Sequence, residues 1–148
     1  MSNIIESDIN LLIKYGKKFH ISNKEFLITG GAGFLGSWLC EVLLAKNAKV
    51  YCIDNLSSGS AANIRHLRKN KSFIFKKIDI TKKSLNLKPD YIFHLASRPS
   101  PDDYLSNPIK TINVNTDGTK KILELARRAD SKLLFTSTSE VTIVTFFK

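Results

Sequence analysis

Apolar residues fall along this chain in two kinds of run. Short continuous apolar segments bounded by turn residues recur at 25–29, 49–53, 72–78, 91–96 and 132–136. Runs of that length without polar alternation suit strands buried on both faces. Between them stand segments of helical period. Residues 34–47 place Leu35, Leu39, Val42 and Leu43 on one inward stripe, 61–69 form a short helix, and 109–129 a long one with Ile112, Leu123 and Ala126 inward. A further helical pattern covers 4–16, through Ile4, Ile5, Ile9, Leu12 and Ile13, and ends at Gly16 and the basic Lys17 and Lys18. Residues 81–88 carry little pattern, and Pro99, Pro101 and Pro108 mark an irregular loop. Strands alternating with helices predict an α/β fold, a doubly wound parallel sheet of strand order 3-2-1-4-5 with helices on both faces.

The first strand runs straight into Gly30-x-x-Gly33-x-x-Gly36, and a helix comes at once after it. Glycines at this spacing make a tight strand-to-helix turn, let a pyrophosphate approach the backbone, and bring helix and strand close together. The helix N-terminus then offers unpaired N–H groups and partial positive charge to phosphate. The second strand ends in Asp54, 18 residues past Gly36, where a carboxylate accepts hydrogen bonds from ribose hydroxyls. A carboxylate there also repels a 2′-phosphate, so the expected cofactor is NAD and not NADP. The polar loop 55–60 lies just past the strand end, where open α/β sheets hold their ligands.

Composition changes this picture little. The 148 residues are 43% hydrophobic and 24% charged, with a net charge of +10. The lysines are spread along the chain, and no basic helix is interleaved with aromatics. This implies a solvated surface and no nucleic-acid partner. No apolar run approaches the ~20 residues of a membrane span, and residues 1–10 lack the basic start and apolar core of a secretory leader. No membrane partner is expected, and the location expected is the cytoplasm. Cys40 and Cys52 read as reduced core thiols, and His20, His66 and His94 are too scattered to hold a metal.

Asp79-Ile80, His94-Leu95-Ala96-Ser97, Asn115-x-x-Gly118-Thr119 and Thr136-Ser137-Thr138-Ser139-Glu140-Val141 stand in this order on the predicted elements. With them, residues 25–141 resemble the extended short-chain dehydrogenase/reductase family, the NAD-dependent sugar-nucleotide epimerases, dehydratases and decarboxylases. The wording Ser100-Pro101-x-x-Tyr104-x-x-Asn107-Pro108-Ile109-Lys110-Thr111 is most similar to the UDP-glucuronate decarboxylase subgroup. The resemblance implies cofactor contacts from Gly30, Gly33, Phe34, Leu35, Gly36, Asp54, Asn55, Ser58, Gly59, Asp79, Ile80, Leu95, Ala96, Ser97, Asn115 and Thr136. Asp79 would accept from the adenine amino group and Ile80 pack on the ring. Asn115 would bond backbone between strands four and five, while His94 reads as a packed strand residue and not a base. Thr138 would hold the hydroxyl to be oxidised, and Glu140 would act as acid or base beside it. The chemistry implied is oxidation at sugar C4 on bound NAD, then decarboxylation or epimerisation of a nucleotide sugar, a UDP-sugar by subgroup. A homodimer is implied for the full-length family.

The chain also departs from that pattern. The family's Tyr-x-x-x-Lys pair is missing, since Phe19, Asn55, Leu95 and Pro108 stand four residues after Tyr15, Tyr51, Tyr91 and Tyr104. Ser139 stands where dehydratases carry Asp, Arg98 where a small residue or Pro is expected, and Asn113 where the decarboxylases carry Lys. The expected organisation is a helical extension over 1–24, a cofactor domain over 25–141 whose sheet is incomplete at the C-terminal end, an atypical tail over 142–148, and no substrate domain. Two readings stay open: the cofactor-binding part of a sugar-nucleotide enzyme, or a catalytically silent dinucleotide-binding module.

Overall fold

In the computed structural model, which describes Ser7, Leu11 and residues 21–137, five parallel strands form one sheet of order β3-β2-β1-β4-β5. The strands are β1 (Glu25–Thr29), β2 (Lys49–Asp54), β3 (Phe73–Lys77), β4 (Tyr91–His94) and β5 (Lys132–Phe135). Of the helix expected over 4–16 only Ser7 and Leu11 are described, both helical, and the candidate residues Thr138 and Glu140 and the tail 142–148 lie outside the described residues. The expected strand order is the observed one. Alternate residues of β1 to β4 enter separate cores. Phe26, Ile28, Val50 and Cys52 join one cluster, and Leu27, Tyr51, Ile53 and Ile92 the other. Both faces are therefore apolar, which is why these strands read as continuous runs.

Helix α1 (Phe34–Ala45) comes after β1, and α2 (Ala61–Ile64) comes after β2 and continues as a 3₁₀ turn over His66–Lys69. The buried positions of α1 are Gly36, Cys40, Leu43 and Leu44, while Leu39 and Val42 are half-buried. Leu35, expected inward, is 68% exposed. Gly36 sits where α1 meets the turn before it, and that contact sets the helix phase one residue away from the purely apolar stripe. Cys40 and Cys52 are both buried and free. The Cys40 thiol is raised well above its ordinary range, by its hydrogen bond with Cys52 and then by burial.

The segment expected to be a loop and then one long helix differs. Ser100 caps α3 (Pro101–Ser106), its Oγ accepting from the Asp103 N–H, and Pro101 stands at the first helical position, where its missing N–H costs nothing. A second helix, α4 (Pro108–Asn113), leads through a π-turn over Val114–Gly118 into α5 (Thr119–Ala129). A π-turn adds a residue and so rotates the next helical segment about its axis. The buried residues of α5 are accordingly Ile122, Leu125 and Ala126, whereas Ile112 and Leu123, expected inward, are 56% and 51% exposed. At the opposite edge of the sheet Asp90 ties strand starts together, accepting from Glu25 N–H at 2.8 Å and pairing with Lys24 at 2.9 Å.

Candidate functional site

All parallel strands deliver their C-terminal ends to one edge of the sheet, and the cleft lies there. It has a volume of about 1280 Å³, and every residue expected to touch the cofactor borders it. β1 stops at Thr29 because Gly30 turns with φ +70°, a conformation costly to a residue with a Cβ. A Cβ on Gly30 would also lie 2.9 Å from the Leu95 carbonyl and the Ala96 nitrogen. The turn closes by the Gly33 N–H donating to Gly30 O at 3.1 Å. A Cβ at Gly36 would lie 2.3 Å from Gly30 O, which fixes how closely α1 approaches β1.

Gly33 differs, since a Cβ there would meet only Gly30 O, at 3.2 Å, and would otherwise stand in open cleft. No side chain caps the first turn of α1 and no acid lies in it. Its N–H groups and partial positive charge therefore face the cleft, as a bound phosphate requires. Phe34 and Leu35 stand beside it, Phe34 77% exposed.

Asp54 ends β2 at 8% exposure. Its Oδ2 accepts from Ala32 N–H at 2.9 Å and its Oδ1 from Leu56 N–H at 2.7 Å. The carboxylate thus braces the glycine turn, and each oxygen keeps a lone pair for a ligand hydroxyl. Leu56 holds φ +60°, a left-handed conformation that costs a Leu of order 1 kcal/mol. The wall continues through Asn55, whose Oδ1 accepts from Ser57 N–H at 2.9 Å, and through Ser58 and Gly59. Gly59 packs on Ala32, and the N–H of Ser60 donates to Ala32 O at 3.0 Å.

Asp79 caps its own turn, its Oδ1 accepting from Thr81 N–H at 2.9 Å and from the Thr81 hydroxyl at 2.7 Å. Burial pushes its carboxyl up, but the Thr81 hydrogen bonds, Lys82 and Asn55 outweigh this and hold it below the usual carboxylate range. Ile80 is 5% exposed and belongs to the core, beside Gly118, so its side chain is not the open platform expected for a ring. Asn115 also differs. Its Oδ1 accepts from the Ser97 hydroxyl at 3.0 Å, which joins the π-turn to the exit of β4, and among the described residues it makes no bond to the backbone of β4 or β5. That bridge is made by Thr136, whose N–H and hydroxyl donate to His94 O at 3.2 and 3.0 Å.

His94 is 2% exposed and a packed strand residue. Its Nδ1 lies 2.6 Å from Thr29 Oγ1 and its Nε2 3.0 Å from Thr119 Oγ1. Burial lowers its pKa to about 4, so the ring is neutral at physiological pH. Sequence reasoning gave Thr29 no role and took Thr119 only as the end of the Asn115-x-x-Gly118-Thr119 motif. It also missed the pair between Arg98 and Asp103, two side chains only 11% and 23% exposed that lock α3 to the loop after β4. The spacing Arg98 to Asp103 around a helix cap was the available signal. Arg98, Tyr104 and Lys110 border the far end of the cleft.

Residues 26–142 match the NAD dependent epimerase/dehydratase family. The chain belongs to that family. Among related epimerases/dehydratases, it is 40% identical over 141 residues to UDP-glucuronic acid decarboxylase 1 of Danio rerio, an alignment covering 93% of this chain and 34% of the relative. An epimerase of Methanothermobacter thermautotrophicus superposes with TM-score 0.71 and 33% identity, over 80% of this chain and 36% of the other. The UDP-glucose 4-epimerase of Thermus thermophilus, solved in complex with NAD, gives TM-score 0.64 and 31% identity over 77% of this chain and 37% of its own. The chain thus spans about a third of the length of these relatives.

Proposed function

We propose that this chain is the NAD-binding part of an enzyme that modifies a nucleotide sugar, a UDP-sugar, by oxidation at C4 and then decarboxylation or epimerisation. One observation carries the reading: the uncapped N-terminus of α1, the glycine turn and Asp54 open on the same cleft. In this reading the pyrophosphate lies on the backbone of Gly30, Gly33, Phe34, Leu35 and Gly36. Asp54 takes the adenosine ribose hydroxyls, with Asn55, Ser58 and Gly59 around it. Asp79 and Ile80 border the adenine, and Leu95, Ala96, Ser97, Asn115 and Thr136 form the opposite wall. NAD, when bound, supplies the hydride acceptor for the sugar carbon. Thr138 would hold the reacting hydroxyl and Glu140 would exchange a proton beside it. The names of the relatives, decarboxylase and 4-epimerase acting on UDP-sugars, support this substrate class. We place the protein in the cytoplasm, in keeping with two buried free thiols, and expect a homodimer as in the full-length family.

A second reading, a catalytically silent dinucleotide-binding module, uses the same cleft and the same cofactor contacts without a sugar nucleotide. Titration calorimetry with NAD and NADP tests what both readings share. Tighter binding of NAD is the expected result, and equal affinity for the two cofactors would sink the assignment. Binding of UDP-glucuronate or UDP-glucose to the NAD complex would favour the first reading, which alone involves a sugar nucleotide.

A further inference from the structure

Below the cleft runs a line of hydrogen bonds whose side chains the cofactor reading leaves unused. Thr119 Oγ1, at the start of α5, lies 3.0 Å from Nε2 of His94. The ring's Nδ1 lies 2.6 Å from Oγ1 of Thr29, which also accepts the Ala96 N–H at 3.4 Å. Thr29 and His94 are register partners on β1 and β4, 0% and 2% exposed. Counting protons gives the directions of these bonds. A neutral imidazole has one N–H, and a threonine hydroxyl has one proton. If Nδ1 carried the ring proton, the Thr29 hydroxyl proton would be left buried with no other acceptor among the described residues, a cost proteins avoid. Thr29 therefore donates to Nδ1, and the ring proton sits on Nε2 and is donated to Thr119.

We propose that His94 is a positioning residue which, with its ring proton on Nε2, fixes the Leu95–Ala96 peptide in the cofactor cleft through Thr29. The inference rests on the cofactor reading of that cleft. The peptide has no slack on its other side. It abuts Gly30, where a Cβ would lie 2.9 Å from Ala96 N and from Leu95 C and O. The exit of β4 and the glycine turn thus share one position, and a displaced Ala96 presses on the turn that would carry the pyrophosphate. Thr136 meanwhile holds the carbonyl of His94 with two hydrogen bonds. An apolar side chain would fill this buried site without desolvating a ring, so the donor and acceptor pattern is what an imidazole adds.

Long-range ¹H–¹⁵N NMR of the labelled 148-residue chain at pH 7 reads the tautomer directly. A proton on Nε2 with Nδ1 bare is expected; a proton on Nδ1, or a charged ring, overturns the proposal. Thr29→Val is expected to disturb the tautomer, speed exchange of the Ala96 amide about tenfold, and weaken NAD binding about five- to tenfold. Thr29→Ser restores all three, whereas a merely structural role would move the melting temperature and leave the tautomer alone. Unchanged Ala96 exchange and NAD affinity in Thr29→Val overturn the proposal. If Thr29→Val does not fold, His94→Gln and His94→Leu decide, since a Gln amide offers an acceptor and a donor at a similar spacing. Gln is expected to keep NAD affinity within about twofold and Leu to lose it; equal affinities overturn the proposal. A parent chain that binds no NAD defeats the cofactor reading, while tautomer and amide exchange still decide the role of His94.

Discussion

Lowering the pH puts a proton on a ring that the fold keeps neutral, and the structure gives the size of the effect. His94 is sealed between Thr29, Thr119 and Phe135, whose ring centroid lies 5.6 Å away. Burial lowers its pKa from 6.5 to about 4. Between those values the unfolded chain binds the proton and the folded chain does not. Stability is therefore full above pH 6.5 and is lost as the pH falls toward 4. The whole interval corresponds to about 3 kcal/mol, most of which is expected to be gone by pH 4.5. That is a large share of the ~5–15 kcal/mol that holds a domain together. Carboxylates act in a lower window. Asp90, held down by the Glu25 N–H and by Lys24, and Asp79 both have pKa values below 3.8, so their contributions disappear only in more acid solution. Urea unfolding monitored by circular dichroism, from pH 7.5 to 4.5, on the parent and on His94→Gln isolates the term, because all other groups are common to both proteins. The parent should lose about 2 to 3 kcal/mol more than the variant across this range. Parallel curves, or a parent that gains stability as the pH falls, would refute the reasoning.

Gly36→Ala should cost about 3 kcal/mol or more in urea unfolding, because its Cβ would meet backbone at 2.3 Å on a packed helix. Gly33→Ala should instead leave stability within about 1 kcal/mol and weaken NAD binding by calorimetry, since its Cβ stands in the cleft; the reverse pattern would show that the two glycines have exchanged roles. Asp54→Ala should lower NAD affinity more than about tenfold and also destabilise, as the Ala32 and Leu56 N–H groups lose their acceptor; Asp54→Asn should gain tolerance of NADP. The 148-residue chain incubated with NAD and UDP-glucuronate should form no UDP-xylose by mass spectrometry, since removing a proton-transfer group costs ~10²–10⁴ in rate and the Tyr-x-x-x-Lys pair is missing; clear conversion would overturn that expectation.

The strands, their order and the cofactor end of the sheet were legible in the sequence because each rests on local chemistry. Strands buried on both faces read as unbroken apolar runs, and a glycine turn between strand and helix has few other uses. Once the sheet is parallel, every strand end reaches one edge, so Gly30, Asp54, Asp79, Ala96 and Thr136 gather without further information. What packing decided was the phase of elements and the partners of polar groups. The contact of Gly36 with Gly30 turned α1 so that Leu35 faces out, and the π-turn over Val114–Gly118 rotated α5 so that Ile122 replaced Leu123 in the core. Periodicity assumes a regular helix and cannot register either event. The line from Ala96 through Thr29 and His94 to Thr119 joins residues 65 and 25 positions apart, brought together by strand register and by the docking of α5. Each is an ordinary residue in its own stretch of chain; only the tertiary structure makes one buried proton decide where the others point.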